Sequence, residues 1–150
     1  MIHRSKVFFP ILAVLFVSGA LGVALAVQDD AQPMPAEAGD LAQAASIEVR
    51  DAGGQVVLSG RFDAGDTDDD DDGVERKAEL TAASGSAKGE AEIEIDGEAV
   101  GAAAQELEVE VEGLQAGATF TVQLDGRALA TLTTDDRGRA EATFTSRAAK

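Results

Sequence analysis

The residues best able to do chemistry are acids. They are densest in Asp63-Ala-Gly-Asp-Thr-Asp-Asp-Asp-Asp-Asp72-Gly73. Counted from Asp68, carboxylates fall at the first, third and fifth positions, Gly73 is sixth, Val74 seventh and Glu79 twelfth. This is the written pattern of an EF-hand calcium loop. A hard dication wants several oxygens, and glycine permits the sharp turn that brings them round it. Glu75 at the eighth position and Arg76 at the ninth depart from that pattern, and no amphipathic helix flanks the run. Two readings stand: a solvated, self-repelling hairpin tip, or loose Ca²⁺ binding through Asp66, Asp68, Asp70 and Asp72.

A second acidic feature is periodic. Glu92 and Glu94, then Glu106, Glu108, Glu110 and Glu112, fall on alternate positions opposite apolar residues. Were the two strands neighbours, like charges would face each other and destabilise the pair. Cations or basic residues would have to compensate. The plainer reading is a solubilising face that blocks edge-to-edge association.

Other chemistries lack parts. The single His lies in the first 28 residues and there is no Cys, so Ser-His-Asp and Cys-His arrangements and ordinary zinc sites are not expected beyond that stretch. Ser86 near Lys88 has no oxyanion hole beside it and nothing to bury the lysine. A glycosidase pair of carboxylates is allowed by count, but there is no Trp or Tyr to stack sugars. The expectation is a protein that is not an enzyme, with no cofactor beyond a possible Ca²⁺. A net charge of −16 repels phosphates and anionic lipid heads, leaving cations or basic protein surfaces as partners.

The elements that must position these groups divide sharply. Residues 1–28 hold none of the 28 acids. His3, Arg4 and Lys6 precede an apolar stretch from Val7 to Val27, and Ala24-Leu25-Ala26 offers small residues for a signal peptidase. This predicts a signal peptide over 1–26. An uncleaved anchor is the alternative, since the stretch is long enough to span a bilayer. Either places the rest outside the cytoplasm: periplasm, cell surface or extracellular space. Residues 27–45, with Pro33 and Pro35, read as a flexible linker.

From Ser46 the period is two. Ile47 and Val49; Val56, Leu58 and Phe62; Val74, Ala78 and Leu80; Ala91, Ile93 and Ile95; Leu107, Val109 and Val111; Phe120, Val122 and Leu124; Ala128 to Thr134; and Ala140, Ala142 and Phe144 mark strands. Gly53-Gly54, Asp125-Gly126 and Asp135–Gly138 read as turns. About seven to eight strands, each with one dry face, predict an all-β, antiparallel two-sheet sandwich over 46–147, with an acidic loop at 63–73, preceded by a signal helix and the linker.

Leu114-Gln-Ala-Gly-Ala-Thr-Phe120 resembles the corner before the sixth strand of fibronectin type III and immunoglobulin-like sandwiches, with Phe120 where that corner usually has Tyr. Leu58-Ser-Gly-Arg-Phe62, Glu75-Arg-Lys-Ala-Glu-Leu80 and Thr133-Thr-Asp-Asp-Arg-Gly-Arg-Ala140 are similar to segments of uncharacterised exported bacterial proteins. That resemblance implies a fold and an export route, and no activity. The expected function is therefore an exported, non-catalytic module of the envelope or extracellular space. A calcium-binding surface protein is the first alternative, and a carbohydrate-binding or hydrolytic domain the second.

Overall fold

The structure, a computed structural model, describes residues 24–25, 31–65, 73–96 and 104–146. Its strands are β1 (Ala24–Leu25), β2 (Gln32–Pro33), β3 (Ser46–Arg50), β4 (Val56–Arg61), β5 (Val74–Thr81), β6 (Lys88–Asp96), β7 (Ala104–Glu112), β8 (Thr119–Leu124), β9 (Arg127–Thr133) and β10 (Ala140–Thr145). Two 3₁₀ turns, Ala36–Ala38 and Leu41–Gln43, precede β3. The eight longer strands are those marked in the sequence.

Their assembly differs from expectation. They form one mixed sheet in the order β1-β9-β8-β3-β4-β5-β6-β7-β10-β2, which curls into a half-barrel. The expected antiparallel two-sheet, immunoglobulin-like sandwich does not form, and the sheet is not wholly antiparallel. The short strands β1 and β2 lie parallel to β9 and β10. The physical reason is that alternation determines which face of a strand is dry, not how dry faces meet. A twisted sheet curled upon itself buries the same side chains as two stacked sheets.

The turning point is β4 against β5. These strands share a single registered pair, Ser59 with Thr81, linking the quartet β9-β8-β3-β4 to the quartet β5-β6-β7-β10. Gly60 sits at this crossing. A Cβ there would stand 2.5 Å from the Glu79 carbonyl oxygen, so only glycine allows the approach.

Inside the curl lie Ile47, Leu58, Leu80, Ile93, Leu107, Leu124 and Phe144, with Phe62 and Phe120 also buried. Phe62, Phe120 and Phe144 thus fall on the inward phase, as their spacing predicts. Turn chemistry locks the register. Asp125 and Gly126 both take positive φ, 48° and 78°, which the tight β8–β9 hairpin requires. Asp51 and Asp135 close two five-residue loops in the same way. Each Oδ1 accepts from the backbone N–H groups two and four residues on, Gly53 and Gln55 or Arg137 and Arg139, at 2.8–2.9 Å.

The expected linker contributes to this body. Among its described residues, 31–45, Leu41 is fully buried and Ala38 and Ala44 nearly so. Burying a leucine side chain stabilises by about 1.5–3 kcal/mol. The expected leader lies outside the described residues, except for Ala24–Leu25 in β1.

Candidate functional site

Sequence placed the candidate calcium ligands at Asp66, Asp68, Asp70 and Asp72, and these lie outside the described residues. What frames them is described. The loop is pinched at its base, where Asp63 N–H donates to the Lys77 carbonyl at 3.0 Å and Lys77 N–H returns to Asp63 Oδ1 at 3.1 Å. Glu79, the twelfth position of the calcium pattern, stands in β5 opposite Glu90. Arg76, the ninth, does not face a carboxylate among its hydrogen bonds. Its guanidinium donates to the Asp63, Ala42 and Ala44 carbonyls at 2.8–3.1 Å and lies 5.7 Å from the centre of the Phe62 ring.

The glutamate ladder is brought together except at Glu112, which faces Lys88. β6 and β7 are neighbours, and Glu90 faces Glu110, Glu92 faces Glu108, and Glu94 faces Glu106. β5 extends the rows with Glu75 opposite Glu94 and Glu79 opposite Glu90. β10 extends them on the other side with Glu141 opposite Glu110. The outward face of this quartet is therefore a grid of carboxylates, spaced by the strand separation of about 4.8 Å one way and by about 6.8 Å along each strand. From the sequence, Glu75 and Glu141 were not counted in the ladder, nor were Glu79 and Glu90. The alternation of β5 and β10 was the signal for Glu75 and Glu141, because they share the phase opposite Ala78 and Ala142.

Three cations are set into the grid. Lys77 Nζ lies 2.9 Å from Glu75 and 3.4 Å from Glu92. Lys88 Nζ lies 3.0 Å, and Arg139 3.3 Å, from Glu112. Their effect on proton affinity is local. The hydrogen bonds to Glu75 and Glu92 hold the Lys77 ammonium well above its ordinary range. The hydrogen bond from Lys88 holds Glu112 below the usual carboxylate range. Glu108 has no such partner among the described residues; partial burial raises its pKa, and the charges of Glu141, Glu92, Glu106 and Glu110 push the same way.

Two places in the grid can receive a ligand. Carboxylate oxygens of Glu75, Glu92 and Glu94 lie within 4.8 Å of one another, a set of hard donors that could hold a metal ion. Lys77 occupies that position as an internal counter-ion, so a metal would have to displace it. Further along, an open groove of about 410 Å³ runs across β5, β6 and β7 between Glu79, Lys88, Glu90, Glu110 and Glu112. Lys88, considered beside Ser86 as a catalytic group, spends its charge on Glu112 and is largely exposed. The groove offers charge and hydrogen-bond acceptors.

No family model, curated protein or solved structure matches this chain. What the site can do must be argued from its geometry alone. It is a broad, ordered array of negative charge on a β-sheet, with one three-carboxylate cluster inside it.

Proposed function

We propose that this chain is an exported, non-catalytic β module that uses the acidic face of β5, β6, β7 and β10 to engage basic protein surfaces. The observation that carries the reading is the in-register stacking of Glu90 on Glu110, Glu92 on Glu108 and Glu94 on Glu106. Each such pair costs stability, about 0.2–1 kcal/mol, and a face kept only for solubility does not need its charges in register. A complementary cationic surface would relieve the repulsion and gain steered association. The test is binding of the full chain to immobilised polylysine. Changing Glu92, Glu108 and Glu110 together to Gln should abolish most of the retention and weaken its salt dependence. Changing three acids outside the face, Glu37, Asp40 and Asp136, to their amides should have a much smaller effect. Equal losses from the two triples would show that net charge alone drives retention, and would end the proposal.

The close carboxylates of Glu75, Glu92 and Glu94 support a second reading, a calcium-binding surface protein. Here Lys77→Ala removes the ammonium from between Glu75 and Glu92, leaving the carboxylates free for an ion. Calorimetry with Ca²⁺ should show tighter binding in this variant than in the parent. Unchanged binding on removing Lys77 would exclude Glu75, Glu92 and Glu94 as the ligands, and leave only Asp66, Asp68, Asp70 and Asp72 to carry the calcium reading.

A further inference from the structure

We propose that residues 34–45 form a releasable strap between the end of β10 and the start of β3, with Arg76 as its latch. The strap begins where Met34 N–H donates to the Thr145 carbonyl at the end of β10. It ends where Ala45 and Ser46 N–H donate to the Asp125 carboxylate at 2.8–3.3 Å. Between these points its backbone is held to the body by side chains, not by a strand ladder. Leu41 N–H donates to Gln105 Oε1 at 2.7 Å, and Arg76 Nη1 reaches the Ala42 and Ala44 carbonyls at 3.1 and 2.8 Å. The Ala45 carbonyl also accepts from Phe62 N–H at 3.2 Å and the Leu41 carbonyl from Arg76 Nη1 at 3.5 Å; the other described bonds are internal, Ala38 to Pro35, Gln43 to Asp40, Ala44 to Leu41 and Ala42 to Asp40 Oδ1.

Such a segment can leave without breaking the sheet. It seats Leu41 and two alanines in the core, with Met34 half-buried against it. A strand such as β7 seats Leu107, Val109 and Val111, with full ladders on both sides. Segments with few apolar anchors open below the free energy of global unfolding. Arg76 sets how often this happens. Its planar fork holds the strap with one nitrogen and the Asp63 carbonyl with the other two, while its cation lies against Phe62. A lysine has one point of charge and cannot hold both sides. Its two ends stay paired, β2 with β10 and β3 with β4 and β8, so release frees a loop that is tethered at both ends.

Hydrogen exchange of the full chain, read by mass spectrometry, tests this. Amides of Leu41, Ala42, Ala44 and Ala45 should exchange together and faster than those of β6 and β7. Arg76→Lys should speed the strap amides about tenfold or more, leaving β6 and β7 unchanged. Leu41→Ala, which weakens the seat without touching the latch, should act in the same direction and serves if Arg76→Lys does not fold. Strap and strand amides exchanging at one common rate would overturn the separability of the strap. Strap rates unmoved by Arg76→Lys would overturn the latch.

Discussion

The two quartets of the curled sheet share an interior and differ outside. In β9-β8-β3-β4 the outward grid is nearly neutral. Thr119 faces Thr133, Thr121 faces Thr131, and Gln123 faces Glu48. Its Glu48 is answered on the same strand by Arg50 at 2.6 Å. In β5-β6-β7-β10 the equivalent positions carry glutamate facing glutamate, with Lys77, Lys88 and Arg139 as partial relief. The inward phase of both is apolar, with Ile, Leu, Val and Phe in each and the buried alanines Ala78, Ala91, Ala140 and Ala142 in the acidic half. The difference teaches that the fold needs only the inward phase. The outward phase is free to vary, and here one half tolerates a repulsion that the other avoids.

The comparison can be broken or sharpened at three levels. The largest effects should be indifferent to it. Ile93→Ala in the acidic half and Ile47→Ala in the neutral half both empty a fully buried site. Each should cost about 2–5 kcal/mol in denaturant melts, at low and high salt alike. A salt-dependent loss at Ile93 alone would mean that packing and surface charge are coupled.

Next in size are changes of outward charge. Glu108→Gln should raise stability at low salt, by about 0.2–1 kcal/mol, and the gain should shrink as salt screens the face. Gln123→Glu does the reverse in the neutral half, setting a carboxylate opposite Glu48. It should lower stability by a similar amount under the same conditions. Thermal melts of both variants across an ionic-strength series check this. Equal signs for the two would show that position within the sheet, not the facing partner, decides.

The smallest effects concern pH, and they have opposite signs on one strand. Glu108 has a raised pKa in the fold. Its favourable contribution is present when it is protonated, below its unfolded pKa, and is lost as pH rises through the raised value. Glu112 has a lowered pKa. Its contribution is present above the unfolded value and is lost as pH falls through the lowered one. Melts between about pH 7 and pH 3, spanning ordinary carboxylate values, should show this. Glu108→Gln should remove some of the stabilisation gained on mild acidification, and Glu112→Gln should remove some of the loss at stronger acidity.

Much of this was legible in the residues. Alternation, weaker over Val74 to Leu80, located seven of the eight longer strands, and Asp125-Gly126 located the tightest hairpin and with it the strand over Ala128 to Thr134, because only left-handed backbone closes that turn. The glutamate rows were also visible, because outward phase is as periodic as inward phase. What alternation does not encode is whether dry faces meet by stacking or by curling. That depends on a single close crossing at Gly60, which in sequence is one glycine in a strand. Leu41 was hidden for a different reason. A lone apolar residue among alanines has no period, and its burial depends on Gln105, Asp125 and Arg76, which are distant in sequence. The contribution of β2 is hidden likewise, since two residues ending in proline do not make a pattern.

The joint at Ser59 and Thr81 gives the molecule a fault line. Every other neighbouring pair among the eight longer strands is stitched by four or more registered residues, and this one by a single stitch. Under mechanical load applied across the sheet, rupture should begin there, splitting a charged leaf from a neutral one before either leaf unravels.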